Sequence, residues 1–281
     1  MKIITFNVNG IRSIMTKIKD GTKSAKPVSP NVITQLLTEH QPDVLCLQEV
    51  RCSSTLDLSP LCLKDLGYHH LTINCSTSKK GYSGTATISK TPPQEVLLGF
   101  SEQQVPNSSE LNTEGRMITT VFDRYIVINL YVPNSKADLK RLEFRVMEWE
   151  HHIRMHLSSI QQQHPDKTIL LCGDLNVAHD PIDVHNPSSA KGSHGYTEEE
   201  RHALTTLLRE NSLIDTFREK HPTDKKYSWF SPFAQSRKRN KGWRIDYVLA
   251  SQRVKSKIIS ADILHEFHGS DHVPCIAELD L

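Results

Sequence analysis

Apolar residues in this chain gather into short continuous runs, and several of the runs end abruptly on a polar side chain. The clearest is Ile169-Leu170-Leu171-Cys172-Gly173-Asp174-Leu175-Asn176-Val177-Ala178-His179. A continuous apolar run closed by glycine reads as a strand in a sheet covered on both faces, with Gly173 expected to end it. Residues two apart on extended backbone point the same way, so the Asp174 carboxylate and the Asn176 carboxamide are expected in one cavity at the strand's end. Such a pair can hold and activate a water. The same residues also favour turns, and an isolated Gly-Asp-x-Asn does not separate the two readings. The plan recurs along the chain. Residues 43–49 form a second buried strand, closed by Glu49, after Pro42 stops a helix carrying Val32, Ile33, Leu36 and Leu37. Residues 2–6 are a strand running into Asn7 and Asn9, again two apart. Residues 243–250 are a strand with Asp246 near its start, and a closing strand, 273–279, directly follows His268-Gly269-Ser270-Asp271-His272.

Helical spacing marks other stretches. Residues 139–163 carry Leu142, Val146, Trp149, Ile153, Leu157 and Ile160 on one stripe, which predicts a long amphipathic helix with Trp149 in the core. His151, His152 and His156 fall among its polar positions with no carboxylate cluster nearby, so a solvated face is expected there rather than a metal site. Thr197 and Glu200 form a capping box opening a helix to about Asn211. Residues 116–122 and 125–131 flank Asp123-Arg124 as a hairpin, its second strand closing on Tyr131 before Val132-Pro133-Asn134. Residues 61–66 read as a short helix, residues 16–30 as a polar loop, and residues 101–114 as a surface excursion. The loop Lys79-Lys80-Gly81-Tyr82-Ser83-Gly84, between strands 68–73 and 85–88, either grips a phosphate backbone or is a solvated hairpin. Tyr227-Ser228-Trp229-Phe230 and Phe233, followed by Arg237-Lys238-Arg239-Asn240-Lys241, describe either core packing or a pocket that encloses sugar and base while cations hold phosphate.

With 281 residues, 37% of them hydrophobic, the chain can bury the core of one large α/β domain. No repeat, low-complexity tract or linker interrupts it, so one domain over 1–281 is expected. A net charge of +2 permits a nucleic-acid enzyme without demanding one. The start lacks the features of a signal peptide and no apolar run reaches membrane length, which predicts an intracellular protein without membrane attachment. The six cysteines are scattered without a C-x-x-C pair, so free thiols are expected rather than zinc ligands. Four acids, Glu49, Asp174, Asp246 and Asp271, stand at the ends of separate apolar strands, and they repel unless a cation or a proton lies among them. Oxygen ligands favour Mg²⁺ or Mn²⁺. A hard metal, a histidine beside an acid, a tyrosine and basic loops point to phosphoryl chemistry.

Thr5-Phe6-Asn7-Val8-Asn9-Gly10-Ile11-Arg12, Leu47-Gln48-Glu49, Gly81-Tyr82-Ser83-Gly84, Tyr131-Val132-Pro133-Asn134, Gly173-Asp174-Leu175-Asn176-Val177-Ala178-His179, Gly242-Trp243-Arg244-Ile245-Asp246-Tyr247 and Gly269-Ser270-Asp271-His272 together resemble the exonuclease III family of apurinic/apyrimidinic (AP) endonucleases, within the endonuclease/exonuclease/phosphatase superfamily. The resemblance implies an α/β fold of DNase I type: a four-layer α/β sandwich, two mixed β-sheets packed face to face and flanked by helices. It implies a Mg²⁺-dependent DNA repair hydrolase, with Mn²⁺ able to substitute, that incises 5′ to abasic sites in base excision repair and leaves a 3′-OH. 3′-Phosphodiesterase and 3′→5′ exonuclease activities accompany this in the family. Carried over residue by residue, the catalytic set is Tyr131, Asp174, Asn176, Asp246 and His272. The metal set is Asn7, Glu49, Asp174, Asn176, Asp271 and His272, with Glu49 foremost. Tyr82, Asn134, Arg237 and Lys241 would hold DNA, and Trp229, Phe233 and Trp243 would wall a pocket for an extruded base-free sugar. The implied partner is double-stranded DNA with abasic sites or blocked 3′ ends, met by a monomer in the nucleus of a eukaryote or otherwise in the cytoplasm. The insertions at 16–30 and 101–114 resemble the second eukaryotic AP endonuclease branch, whose members favour 3′-end trimming. Asn9 stands where some members carry aspartate. A predominant 3′→5′ exonuclease, a phosphoinositide-type phosphodiesterase and a non-catalytic DNA-binding module remain as rival readings.

Overall fold

A computed structural model describes all of residues 1–281 except 54, 55, 104 and 107. The apolar runs become two six-stranded mixed sheets. The strands in chain order are β1 (Lys2–Asn7), β2 (Val44–Gln48), β3 (His70–Asn74), β4 (Thr85–Ser89), β5 (Glu95–Leu98), β6 (Met117–Val121), β7 (Tyr125–Tyr131), β8 (Thr168–Asp174), β9 (Leu213–Asp215), β10 (Trp229–Phe230), β11 (Gly242–Trp243), β12 (Asp246–Ser251), β13 (Ile258–Ile263) and β14 (Cys275–Leu279). One sheet runs β13-β14-β1-β2-β4-β3 and the other β5-β6-β7-β8-β12-β9, while β10 and β11 form a separate ribbon. The β1–β2 and β7–β8 pairs are parallel and the remaining pairs antiparallel.

Alternating side chains explain why the runs are continuous. Ile3, Val44 and Cys46 of the first sheet pack against Val127, Leu170, Cys172, Val248 and Ala250 of the second, forming the core between the sheets. Ile4, Phe6, Leu45 and Leu47 point the other way, onto the helix Val32–His40. Ile126, Ile128, Ile169 and Leu171 meet Trp149, Ile153 and Leu157 and, on the helix Glu198–Glu210, Leu204 and Leu207. The result is the four-layer α/β sandwich, with both faces of each sheet covered. Two amides tie the sheets together: Gln48 Nε2 donates to Asn129 Oδ1 (2.8 Å), and Asn129 Nδ2 donates to the Ala86 carbonyl (2.8 Å). The residue after Gln48 is Glu49, so this lock sits at the foot of the site.

Several local expectations are corrected. Gly173 does not end its strand; β8 continues through it to Asp174. Its φ is 144°, and a Cβ there would lie 1.8 Å from the Leu130 carbonyl oxygen, so glycine permits the close pairing of β7 and β8. The helix over 139–163 begins as a π-helical segment, Phe144–Trp149, and becomes α-helical at Glu150–Gln163. His156 is not solvated: it is fully buried, and its Nε2 shares a 2.8 Å hydrogen bond with the Thr119 hydroxyl. That single partner makes the inward rotation tolerable. Residues 61–66 form no α-helix, only turns after a short 3₁₀ segment, Ser59–Leu61, with Cys62 in a left-handed conformation. In the excursion 101–114, Gln104 and Asn107 lie outside the described residues, while buried Val105 and Leu111 anchor it to the core. Asn31, rather than any apolar pattern, marks the end of the 16–30 loop by capping the following helix. The Thr197–Glu200 capping box forms as expected. All six cysteines are free.

Candidate active site

Strand register assembles the centre. Tyr131, Asp174 and Asp246 are direct partners across β7, β8 and β12, so three polar groups line up at one end of the second sheet. Asn7 ends β1 at the corresponding end of the first sheet, and its Nδ2 donates across the gap to Asp174 Oδ2 (2.9 Å). The other carboxylate oxygen, Oδ1, accepts the Asn176 backbone N–H (2.9 Å). Asn176 is not on extended backbone. Its φ is 50°, and a tight turn brings it back beside Asp174, so the two share a cavity for a different reason from strand alternation. Its own carboxamide is held twice: Nδ2 donates to the Val132 carbonyl (2.9 Å), and Oδ1 accepts from Asn134 Nδ2 (3.0 Å).

The loop before β14 supplies the rest. His272 Nδ1 donates to Asp246 Oδ2 (2.9 Å), which leaves Nε2 facing Asp174 Oδ2 at 3.8 Å. The ligand atoms of Asp174, Asp246 and His272 all lie within 4.8 Å of one another, and all three residues are buried. Asp271 Oδ1 accepts from Asn9 Nδ2 (2.8 Å) and its Oδ2 from Trp229 Nε1 (3.1 Å). Glu49 has a left-handed backbone and pairs through Oε1 with Arg51 Nε (3.0 Å). The Arg116 guanidinium lies over the Tyr131 ring, 4.5 Å from its centroid.

Two buried acids sharing one imidazole produce opposed shifts. Burial pushes Asp174 up to about 7, with Asp246 adding to it and His272 opposing it. Burial alone would lower His272, but Asp246 and then Asp174 raise it to about 10. Burial also works against ionisation of Asp271, yet His272 and the hydrogen bonds from Asn9 and Trp229 hold it below the usual carboxylate value. The Tyr131 phenol is raised by burial and by the nearby Glu49, so it keeps its proton at neutral pH.

A cleft of about 600 Å³ collects most of the anticipated residues: Glu49, Tyr131, Asn134, Asp174, Asn176, Trp229, Lys241, Trp243, Asp271 and His272 all line it. Trp229 and Trp243 face each other across the β10–β11 ribbon, their rings 6.3 Å apart and nearly perpendicular. Asn7 and Asp246 stand behind the lining, acting on Asp174 and His272. Tyr82 lies apart, its hydroxyl accepting from Arg116 Nη2 (2.9 Å). Arg237 turns away to the His265 and Phe267 carbonyls (2.9 and 2.6 Å) and lines an adjoining cavity of about 690 Å³. Phe233 lines neither cavity and is 77% exposed. Arg51, Lys136, His185 and His194 line the cleft without having been singled out in the sequence. For Arg51 a signal existed, a cation two residues from a candidate acid. The others lie in loops whose polar composition is ordinary.

A strand-end cluster of buried acid, imidazole and amides, opening on a cleft of carboxylates and cations, is the centre of a phosphodiester-cleaving enzyme of the α/β-sandwich class. The endonuclease/exonuclease/phosphatase family model matches residues 4–272, and the chain belongs to that family, among its exonuclease III type members. It is 38% identical over 276 residues to an exodeoxyribonuclease of Bacillus subtilis (strain 168), covering 98% of this chain and 97% of the relative. It is 33% identical over 284 residues to a DNA-(apurinic or apyrimidinic site) endonuclease of Dictyostelium discoideum, covering 100% of this chain and 71% of the relative. Among solved structures, an AP endonuclease of Leishmania major superposes with a TM-score of 0.81 at 28% identity, covering 99% of this chain and 86% of that one. The chain is a metal-dependent phosphodiesterase of the nuclease type. Among the described residues no helix is long and apolar enough to cross a membrane.

Proposed function

We propose that this chain is a DNA repair nuclease whose single domain, acting as a monomer, hydrolyses the phosphodiester 5′ to an abasic site in double-stranded DNA and leaves a 3′-OH. The observation that carries the reading is the environment of Asp174. It is a buried carboxylate clamped by Asn7 and Asn176, poised to titrate near neutrality, and it faces an imidazolium that Asp246 holds in place. A carboxylate so placed takes the proton of an attacking water as the water's oxygen meets phosphorus. The His272 Nε2–H and the Asn176 carboxamide stand where negative charge grows on the non-bridging oxygens, and the protonated Tyr131 faces the leaving side.

The donor set fits a hard divalent cation. Three carboxylates, Glu49, Asp174 and Asp271, line one cleft, and the donors there are oxygen-rich with no cysteine among them. We assign Glu49 and Asp271 to hold Mg²⁺, with Mn²⁺ a substitute. Both amide atoms of Asn7 are committed, to Asp174 and to the Asn9 N–H (3.0 Å), so its role is to orient. The bound ion would supply charge neutralisation at the phosphate. Trp229 and Trp243 wall the cleft and are assigned to a base-free sugar, and Lys241, Asn134 and Lys136 border it and are assigned to the flanking phosphates.

A second reading, predominant trimming of blocked or recessed 3′ ends, is favoured by the adjoining cavity. There Lys17, Asp20 and Gly21 of the 16–30 loop stand against Arg237 and Lys238. The deciding experiment uses a labelled duplex with one tetrahydrofuran abasic analogue and a matched recessed 3′ end, each with Mg²⁺ and with EDTA. Mg²⁺-dependent incision immediately 5′ of the analogue is the expected result. Trimming with little incision moves the protein to the second reading, and cleavage of a soluble phosphoinositide in place of both overturns the first two.

A further inference from the structure

One buried ion pair takes no part in this chemistry. Arg145 lies in the π-helical segment and its side chain is 1% exposed. Its guanidinium donates from Nη1 to the carbonyls of Asn176 (2.9 Å) and Pro133 (3.2 Å), and from Nη2 to that of Leu175 (2.7 Å). Nη1 is 3.5 Å from Oε1 of Glu200, which is itself fully buried. Glu200 reaches further. Oε1 accepts the Ser135 hydroxyl, and Oε2 accepts the N–H groups of Gly195 (2.7 Å) and Thr197 (3.2 Å). The pair thus fastens three backbone segments, around 133–135, 175–176 and 195–197. Each of these contributes a wall of the cleft, through Asn134, Asn176 and Gly195 respectively.

We propose that Arg145, seated on Glu200, is a positioning residue for the incision reaction. It acts through the turn at Asn176, whose left-handed backbone turns consecutive carbonyls inward, away from any strand partner. A planar fork with several donors satisfies carbonyls from two segments at once, which a lysine ammonium in the same space does not. Glu200 makes the buried cation tolerable and extends the same grip to the loop beneath Trp243. Loosening this clasp lets the Asn176 carboxamide drift from Asn134 and its N–H from Asp174, so the reacting groups lose alignment while the cleft keeps its lining.

The inference rests on the reading of Asp174 and Asn176 as reacting groups. Arg145→Lys should lower kcat on abasic duplex about 10- to 100-fold, with KM within about threefold and a native near-ultraviolet circular dichroism spectrum. Glu200→Gln, isosteric and still an acceptor, should give a smaller fall in the same direction, and it carries the test if Arg145→Lys does not fold. In an Asn176→Ala background, Arg145→Lys should cost clearly less than in the wild type, because the carboxamide it positions is gone while the backbone N–H on Asp174 remains. Unchanged kcat per folded molecule with only a lower melting temperature would overturn the proposal. So would an equal loss in both backgrounds. A wild-type protein that cuts no DNA sinks the functional reading and this inference with it, whereas active variants sink the inference alone.

Discussion

Two clusters of buried charge lie within the same part of the molecule and behave in opposite ways. Beneath the cleft, Asp183 accepts from Arg244 Nε (2.7 Å) and Nη2 (3.1 Å) and from Arg218 Nη2 (2.5 Å), while Arg244 Nη2 lies 2.7 Å from Asp215 Oδ2. Asp215 also caps the helix Thr216–Lys220. Two guanidinium groups there meet two carboxylates. Burial would raise Asp183, but Arg244 and then Arg218 hold it below the ordinary carboxylate value. In the cleft, Asp174 and Asp246 share the single imidazole of His272, and Asp174 rises to about 7. Both clusters are buried, and both contain aspartates. Charge matching fixes the first as structure, and its deficit raises Asp174 toward neutrality in the second.

The comparison sets the order of expected effects. Asp174→Asn should lower the incision rate by at least about 10³-fold while DNA affinity in a gel shift stays within about threefold. Its melting temperature should hold or rise, because an unmatched buried acid is gone. A near-normal rate would erase the distinction between the clusters. Arg244→Met should do the reverse, costing about 3–5 kcal/mol in urea unfolding because Asp183 and Asp215 lose their shared partner. Its turnover per folded molecule should stay within about threefold. Asp246→Asn, which removes the charge holding His272, should lower kcat about 100-fold and also lower stability at neutral pH, because the raised pKa of His272 depends on that charge.

Titration separates the clusters again, with opposite signs. His272 is raised above its unfolded value, so its stabilising contribution is complete below about pH 6.5 and is lost as pH rises toward about 10. Asp183 is depressed, so its contribution is present above about pH 4 and is lost as pH falls through its lowered pKa. Carboxylate carbon NMR of the metal-free protein should place Asp174 near 7, and added Mg²⁺ should move it down while leaving Asp183 in place. Equal movement of both would show that the ion acts through global change. The smallest effect belongs to Phe233→Ser. With that ring 77% exposed and outside the cleft, DNA affinity should change by less than about threefold and kcat not at all.

Much of the site was legible because polar residues closed apolar runs. Glu49, Tyr131, Asp174 and Asp246 each stand at or beside a strand end, and a strand buried on both faces has nowhere else to present a charge. The geometry of Asn7 and Asn176 was not legible. Strand alternation set Asn7 beside Asn9 and Asn176 beside Asp174, yet Asn7 spends its amide on Asp174 across the sheets, and Asn176 reaches Asp174 through a left-handed turn. Arg145 escaped notice although it falls on the apolar stripe, three residues after Leu142 and four before Trp149. A charge at a core phase of a helix is the signal that would have found it.

By itself the sequence determined the central buried strands and the acids at their ends, since periodicity and polarity act locally along the chain, while the edge strands β5, β9 and β13 carried no such signal. It also carried the family resemblance. Tertiary structure alone decided which acids share an imidazole and which are matched by arginine. The contact between Asn7 and Asp174 spans 167 residues and that between Asp246 and His272 spans 26. Whether a buried carboxylate becomes a base or a strut depends on partners at such separations, and on how completely water is removed around them.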